Sequence, residues 1–180
     1  MEKRRKPTNE FARECIATAL FALMKEMPYQ DISITDICNK AGVARTTYYR
    51  NYSSKEHVIR DMIERIARRY LQRMQAHTHN ARYTDYDSIR LAFVLFRDYS
   101  EWIARMYEAN ITDLLLGALM HFELDMIPLD TADLKERILR QAYAGALCNV
   151  CVMWIRDGMR EPADVVAGLF YESVAQKLSD

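Results

Sequence analysis

Turn-forming residues are scarce in this chain of 180 residues, which contains 5 Gly and 4 Pro. A protein of many short strands joined by tight turns needs more of both, whereas the recurring Ala, Leu, Met, Arg and Glu are helix formers. A β-sandwich or barrel is therefore excluded. No apolar run is long enough to cross a hydrocarbon layer about 30 Å thick. The longest candidate, Ala142 to Ile155, is interrupted by Asn149 and reads as a buried helix. No Gly-rich phosphate loop, nucleophile elbow or carboxylate pair beside a base occurs, so an enzyme reading has no residues to name.

Cysteine and histidine are equally uninformative as chemistry. Cys15, Cys38, Cys148 and Cys151 lie within apolar helical patterns, and no secretory apolar segment follows the charged start Met1-Glu2-Lys3-Arg4-Arg5-Lys6. The expectation is a cytoplasmic protein with reduced thiols and no membrane partner. Cys148 and Cys151 form a C-x-x-C, but in mid-helix, away from the helix N-terminus that lowers thiol pKa values in redox enzymes. They read as small core residues, with a redox-sensing regulator as the alternative. His77-x-His79 has no carboxylate or thiol at ligand spacing, and His57 and His121 stand alone, so neither metal nor cofactor is expected.

What the chain has is apolar residues, 50% of the total, and a net charge of zero that hides an asymmetry. Residues 1–60 carry 11 Lys and Arg against 7 Asp and Glu, while residues 61–180 carry 14 against 18. A basic first third on an acidic remainder points to a localised polyanion contact.

Helical punctuation divides that first third finely. Thr8 or Asn9 caps a helix whose apolar positions are Phe11, Cys15 or Ile16, Leu20, Leu23 or Met24 and Met27, and Pro28 stops it. Ser33 with Asp36 three residues later is a capping-box variant opening a short helix with Ile37 and Ala41 inward, and Gly42 ends it. A third helix spans about Arg45 to Tyr52. Ser53-Ser54-Lys55-Glu56 then caps a fourth, long helix with the stripe Val58 or Ile59, Met62 or Ile63, Ile66, Tyr70 and Met74, running to about His77.

Residues 79–85 read as a linker. Helices follow near 87–99, 101–110 and 112–123. Pro128, Asp130 and Thr131 precede a long helix to Asp157, where Gly158 supplies a left-handed cap. Pro162 starts the last helix, which carries Val165 or Val166, Leu169 or Phe170, Val174 and Leu178.

The second and third helices are too short to be stable alone. Joined around Gly42, with Ile37, Ala41, Val43, Tyr48 and Tyr52 facing the first helix, they form a helix-turn-helix. The free face of the third helix then holds Arg45, Thr46, Thr47 and Tyr49, with Asn51 near its end. Arg can bond guanine bidentately, Thr can touch a thymine methyl, and Tyr hydroxyls reach phosphate oxygens. Lys55 adds a cation at the start of the fourth helix. The basic leader Lys3-Arg4-Arg5-Lys6 reads either as an arm on DNA or as a solubilising tail.

At Gly42-Val43, Thr47, Tyr49, Tyr52 and Ser54-Lys55-Glu56 the sequence resembles the TetR/AcrR family of bacterial regulators. The resemblance is specific over residues 8–60 and extends weakly to Trp154-Ile155-Arg156-Asp157-Gly158-Met159. It implies an all-α fold: an N-terminal helix-turn-helix domain (1–55) and a C-terminal helical ligand-binding and dimerisation domain (56–180). It also implies a ligand-responsive repressor on a palindromic operator in double-stranded DNA. In that reading Thr35, Thr47, Tyr49 and Lys55 hold phosphates, and Arg45 and Thr46 face base edges. Thr46 stands where many members have Gly, and Tyr48 where an aliphatic residue is usual, so the reading surface is bulkier than typical.

One recognition helix reads few base pairs, so a homodimer is expected. The long helix at 134–155 is apolar on more than one face, so Ala142, Gly145, Ala146 and Val150, with Phe170 and Val174, are candidates for a four-helix interface. Phe93, Phe96, Trp102, Met106, Tyr107, Met153 and Trp154 are candidates for the wall of an effector pocket, suited to a flat or greasy small molecule. The rival to a regulator is a helical ligand- or partner-binding module that keeps a family-like head.

Overall fold

The computed structural model describes residues 9–77, 82–125 and 133–179, all helical or connecting, with no strand among them. The leader at Lys3–Lys6, Thr8, residues 79–81 of the linker, and Pro128, Asp130 and Thr131 lie outside the described residues, as does the side chain of Leu178. The chain packs as two compact units, one through Met62 and one from Ile63 onward. That division falls inside the fourth helix, beyond the boundary expected at residue 55. The reason is that Val58, Ile59 and Met62 are buried as part of the first unit.

The first unit comprises α1 (Asn9–Glu26), a 3₁₀ turn (Tyr29–Asp31), α2 (Ile34–Ala41), α3 (Arg45–Asn51) and the start of α4 (Lys55–His77). α1 packs on both α2 and α3. Its buried stripe is Ala12, Ile16, Leu20 and Leu23, one residue out of phase with the expected start, so Phe11 is 57% exposed. Ser33 closes the capping box: its Oγ accepts from the Asp36 amide at 3.1 Å, and Asp36 Oδ2 accepts from the Ser33 amide at 2.9 Å. The Ser33 hydroxyl, donating to Asp36 Oδ2 at 2.5 Å, and the Ser33 amide hold the Asp36 carboxyl below its ordinary value.

Gly42 sits at φ 66, with its amide bonding Asn39 O and the Val43 amide bonding Cys38 O. Only a residue without Cβ adopts this backbone freely. The two-residue connection that follows aims α3 across α2.

The second unit holds the rest of α4, then α5 (Tyr86–Asp98), α6 (Ser100–Glu108), α7 (Asp113–Asp125), α8 (Leu134–Arg156) and α9 (Ala163–Phe170). A π-type turn (Tyr171–Ala175) and a short α10 (Gln176–Ser179) replace the expected continuous last helix. α8 packs against α5, α6, α7 and the π-type turn, and α5 packs against α9. Asn110, at φ 61, and Gly158, at φ 82, end α6 and α8 by the same double bond pattern as Gly42. Trp154 donates Nε1–H to Glu161 O at 2.9 Å, which pins the α8–α9 connection.

α8 is 23 residues long and, by length and composition, apolar enough to cross a membrane. Its burial gives another account: Tyr143, Ala144, Leu147, Cys151 and Trp154 face the unit's core. Arg140, ion-paired to Glu136 one turn earlier, is 1% exposed.

Candidate nucleic-acid interface

Three helices build the surface. α3 is held by Tyr48, which is fully buried, and by Tyr52 just past its end, 1% exposed. The two rings are 6.0 Å apart, and burial pushes both hydroxyls up to about 12. Tyr52 donates its hydroxyl to Asp61 Oδ2 at 2.6 Å, and Arg13 of α1 ion-pairs with the same carboxylate. Asp61 is 3% exposed. A buried carboxylate is stable only with its charge matched and its lone pairs filled, and for this one, carried on α4, Arg13 of α1 supplies the charge and Arg13 and Tyr52 the donors. The first helix is thereby fastened to the other two.

This anchoring leaves Arg45, Thr46, Tyr49 and Arg50 exposed on α3, with Thr35 exposed on α2 and Thr47 half-buried. Tyr49 is 52% exposed, its ring in edge contact with Tyr48 at 5.6 Å, and the Arg45 guanidinium lies 5.9 Å from its centre. The exposed face carries donors, a hydroxyl-bearing aromatic and two cations, and no carboxylate. Polyanion recognition in a groove uses such a set.

Two expected members depart from this face. Asn51 turns its amide back to donate to Thr47 O at 2.8 Å, and its Oδ1 is buried without a partner. It therefore closes its own helix instead of reaching outward. Lys55 donates to Tyr29 O and Ile32 O at 2.7 Å each and to Gln30 O at 3.4 Å. Sequence reasoning missed Arg50, which shares the exposed face, and the Arg13–Asp61 pair. The pair's members are 48 positions apart and carry no local signal.

In the second unit the seven residues expected to wall a pocket divide between core and surface. Phe93, Met106 and Trp154 are each no more than 2% exposed. Phe93 makes edge contacts with Phe96, Trp154 and Phe170 at 5.8–5.9 Å between ring centres. Trp102 is half-buried, while Tyr107, under the Arg156 guanidinium at 4.3 Å, and Met153 are exposed. None of the seven lines the cleft of about 790 Å³ bordered by Met74, Tyr86, Leu91, Val94, Arg97 and Pro162. Arg90 and Asp164, paired at 2.8 Å, also border it. Of the aromatic residues sought, Phe93 packs against Phe96 and Trp154, while Trp102 and Tyr107 lie outside that cluster.

The expected dimer residues divide similarly. Ala142 is exposed, and Gly145, Ala146, Val150 and Val174 are half-buried. Phe170 is a core residue, 3% exposed, packed on Phe93 and on Tyr143. Larger exposed apolar side chains stand nearby in sequence: Leu134, Ile138 and Met153 on α8, and Val165 and Leu169 on α9. Cys148 and Cys151 are free and buried; burial pushes the Cys148 thiol up to about 11 and the Cys151 thiol well above its ordinary value.

An all-helical chain with an N-terminal helix-turn-helix and a separate helical unit defines a class, and solved structures fall in it. A Syntrophomonas wolfei protein described as a TetR-family transcriptional regulator superposes with a TM-score of 0.67 at 15% identity, covering 96% of this chain and 97% of that one. The transcriptional regulator FadR from Bacillus subtilis, solved in complex with stearoyl-CoA, gives 0.54 at 18% identity over 92% and 96%. The fold is therefore that of the TetR-type regulators. In sequence, the regulator EthR of Mycobacterium tuberculosis is 26% identical over 84 residues, 47% of this chain and 39% of that protein. The match thus spans about two fifths of the curated relative's length. No family model matches the chain.

Proposed function

We propose that this protein is a cytoplasmic, DNA-binding transcriptional regulator, a repressor that reads a palindromic operator as a homodimer. The observation that carries the reading is the α3 face. Arg45, Thr46 and Tyr49 stand exposed on a helix whose opposite side is locked by buried Tyr48. A seven-residue helix held so firmly, with its polar side left open, suits insertion in a major groove. Arg45 and Thr46 face base edges; Tyr49 and Thr35 take phosphates, joined by Arg50. The likeness to regulators supports a binding protein over an enzyme.

Two such heads are needed for useful specificity. The exposed Leu134, Ile138 and Met153 of α8, with Val165 and Leu169 of α9, favour association of two copies through these helices, with Ala142 and Gly145 allowing close approach. An effector acts by binding better to the arrangement that fits the operator badly. The cleft of about 790 Å³ beside α5 is of small-ligand size and is the place to look for one. Its charged border suits a polar or amphiphilic effector better than the flat greasy one suggested by the aromatic list.

Selection of bound fragments from random genomic DNA tests the reading. Recovery of an enriched palindrome with half-sites about one helical turn apart is the expected result. Recovery of no enriched sequence overturns it in favour of a ligand- or partner-binding module.

A further inference from the structure

Lys55 stands where a phosphate-binding cation was expected, yet its ammonium is already occupied. An ammonium has three N–H donors and no acceptor. All three directions are taken by backbone carbonyls of the turn before α2: Tyr29 O and Ile32 O at 2.7 Å and Gln30 O at 3.4 Å. The same Nζ lies 4.5 Å from the centre of the Tyr29 ring. The next residue completes the grip, since Glu56 Oε1 accepts the Tyr29 hydroxyl at 2.8 Å. Burial raises the Glu56 carboxyl, but its own amide and the Tyr29 and Ser54 hydroxyls outweigh that and hold it below its ordinary value. It is therefore an anion at neutral pH.

We propose that Lys55 and Glu56 form a latch, closed on Tyr29, that sets where α2 begins and so where the helix-turn-helix presents its groove-facing side chains. The turn they hold ends at Ile32, 2% exposed, and the next residue is the Ser33 cap of α2. Lys55 is thus a positioning residue for recognition and does not itself contact phosphate. A cation satisfied by carbonyls releases no counterions when DNA arrives, so the two roles have different salt signatures.

The experiment compares Lys55→Met with the unaltered protein in two measurements. Amide exchange at Asp36 and Ile37 reports the α2 N-terminus, and exchange is expected to quicken by about tenfold there while Leu20 of α1 stays unchanged. Binding is measured against salt on the palindromic duplex recovered by selection and on a scrambled duplex of equal length. A latch lowers affinity for the selected duplex more than for the scrambled one and leaves the log–log salt slope unchanged. A phosphate contact instead weakens both duplexes alike and makes the slope shallower by about 0.9.

Tyr29→Phe, which removes only the hydroxyl held by Glu56 and keeps the ring beside Lys55, keeps the test decisive if Lys55→Met does not fold. The latch predicts faster exchange at Asp36 and lower discrimination for this variant, and no change in either overturns it. The DNA measurement rests on the regulator reading; if the unaltered protein selects no duplex, that reading fails while exchange at Asp36 and Ile37 still decides the latch.

Discussion

The two units use polar and apolar groups in opposite ways. In the first, polar groups do the internal fastening: Asp61 gathers Arg13 and Tyr52, and Lys55 gathers three carbonyls, leaving a polar outer face on α3. In the second, the interior is a contiguous aromatic cluster around Phe93, and the exposed faces of α8 and α9 carry large apolar side chains. Hydrogen bonds are directional and fix orientation, which a reading head requires; apolar burial is non-directional and suits an adaptable body or a self-association surface.

That contrast can be broken, most severely at the aromatic centre. Phe93→Ala removes the ring shared by Phe96, Trp154 and Phe170 and is expected to destabilise the second unit by about 3–5 kcal/mol in thermal or denaturant unfolding. An effect below about 1 kcal/mol would mean the cluster is loosely packed. Next in size, Leu169→Glu places a charge on an exposed apolar face. If α8 and α9 associate, sedimentation at micromolar concentration should pass from dimer to monomer, a loss of about 2–3 kcal/mol per buried leucine. A monomer before the substitution removes the dimer.

Arg45→Ala sharpens the first unit's side of the comparison. Discrimination between operator and mismatched duplex is expected to fall by about 1–3 kcal/mol, with melting temperature unchanged.

A further effect is alkaline. Cys148 titrates at about 11 in the folded protein because of burial and near 8.5 when unfolded. The folded state holds this proton more tightly, so its contribution to stability is complete below about pH 8.5 and is lost as pH rises toward 11. Cys148→Ala should flatten that part of the decline in melting temperature. In the native protein near pH 8, a thiol reagent should modify the less buried Cys15 before Cys148 or Cys151.

Legibility followed the range of the interactions. The helices of the first unit match their expected spans to within a residue or so because their signals are local: Ser33 with Asp36, Gly42, and Ser54 accepting from the His57 amide. The buried character of Ile37, Tyr48 and Tyr52 also followed from helical spacing. The occupation of Lys55 did not, since its partners are main-chain oxygens 23 to 26 positions earlier, which no side-chain pattern marks.

Phe11 was misplaced because α1 offers small alanines beside it, and the core takes Ala12 where a hydrophobicity count prefers phenylalanine. Among the aromatic residues of the second unit, Phe93 and Trp154 are buried and Tyr107 is exposed, and spacing alone separates neither these nor a ring that lines a void from one that fills it. Asn110, as a left-handed residue ending α6, was visible in principle, because Asn is the commonest substitute for Gly in that role.

Gly42 ends α2 at positive φ, and only Val43 and Ala44 separate it from α3. An α-helix turns about 100° per residue. One residue inserted at the start of α3 would therefore carry Tyr48 out of the core and bring a polar neighbour in. Relatives that keep this head should hardly vary in length after Gly42, so a gap in an alignment there would mark a change of fold before it marked a change of operator.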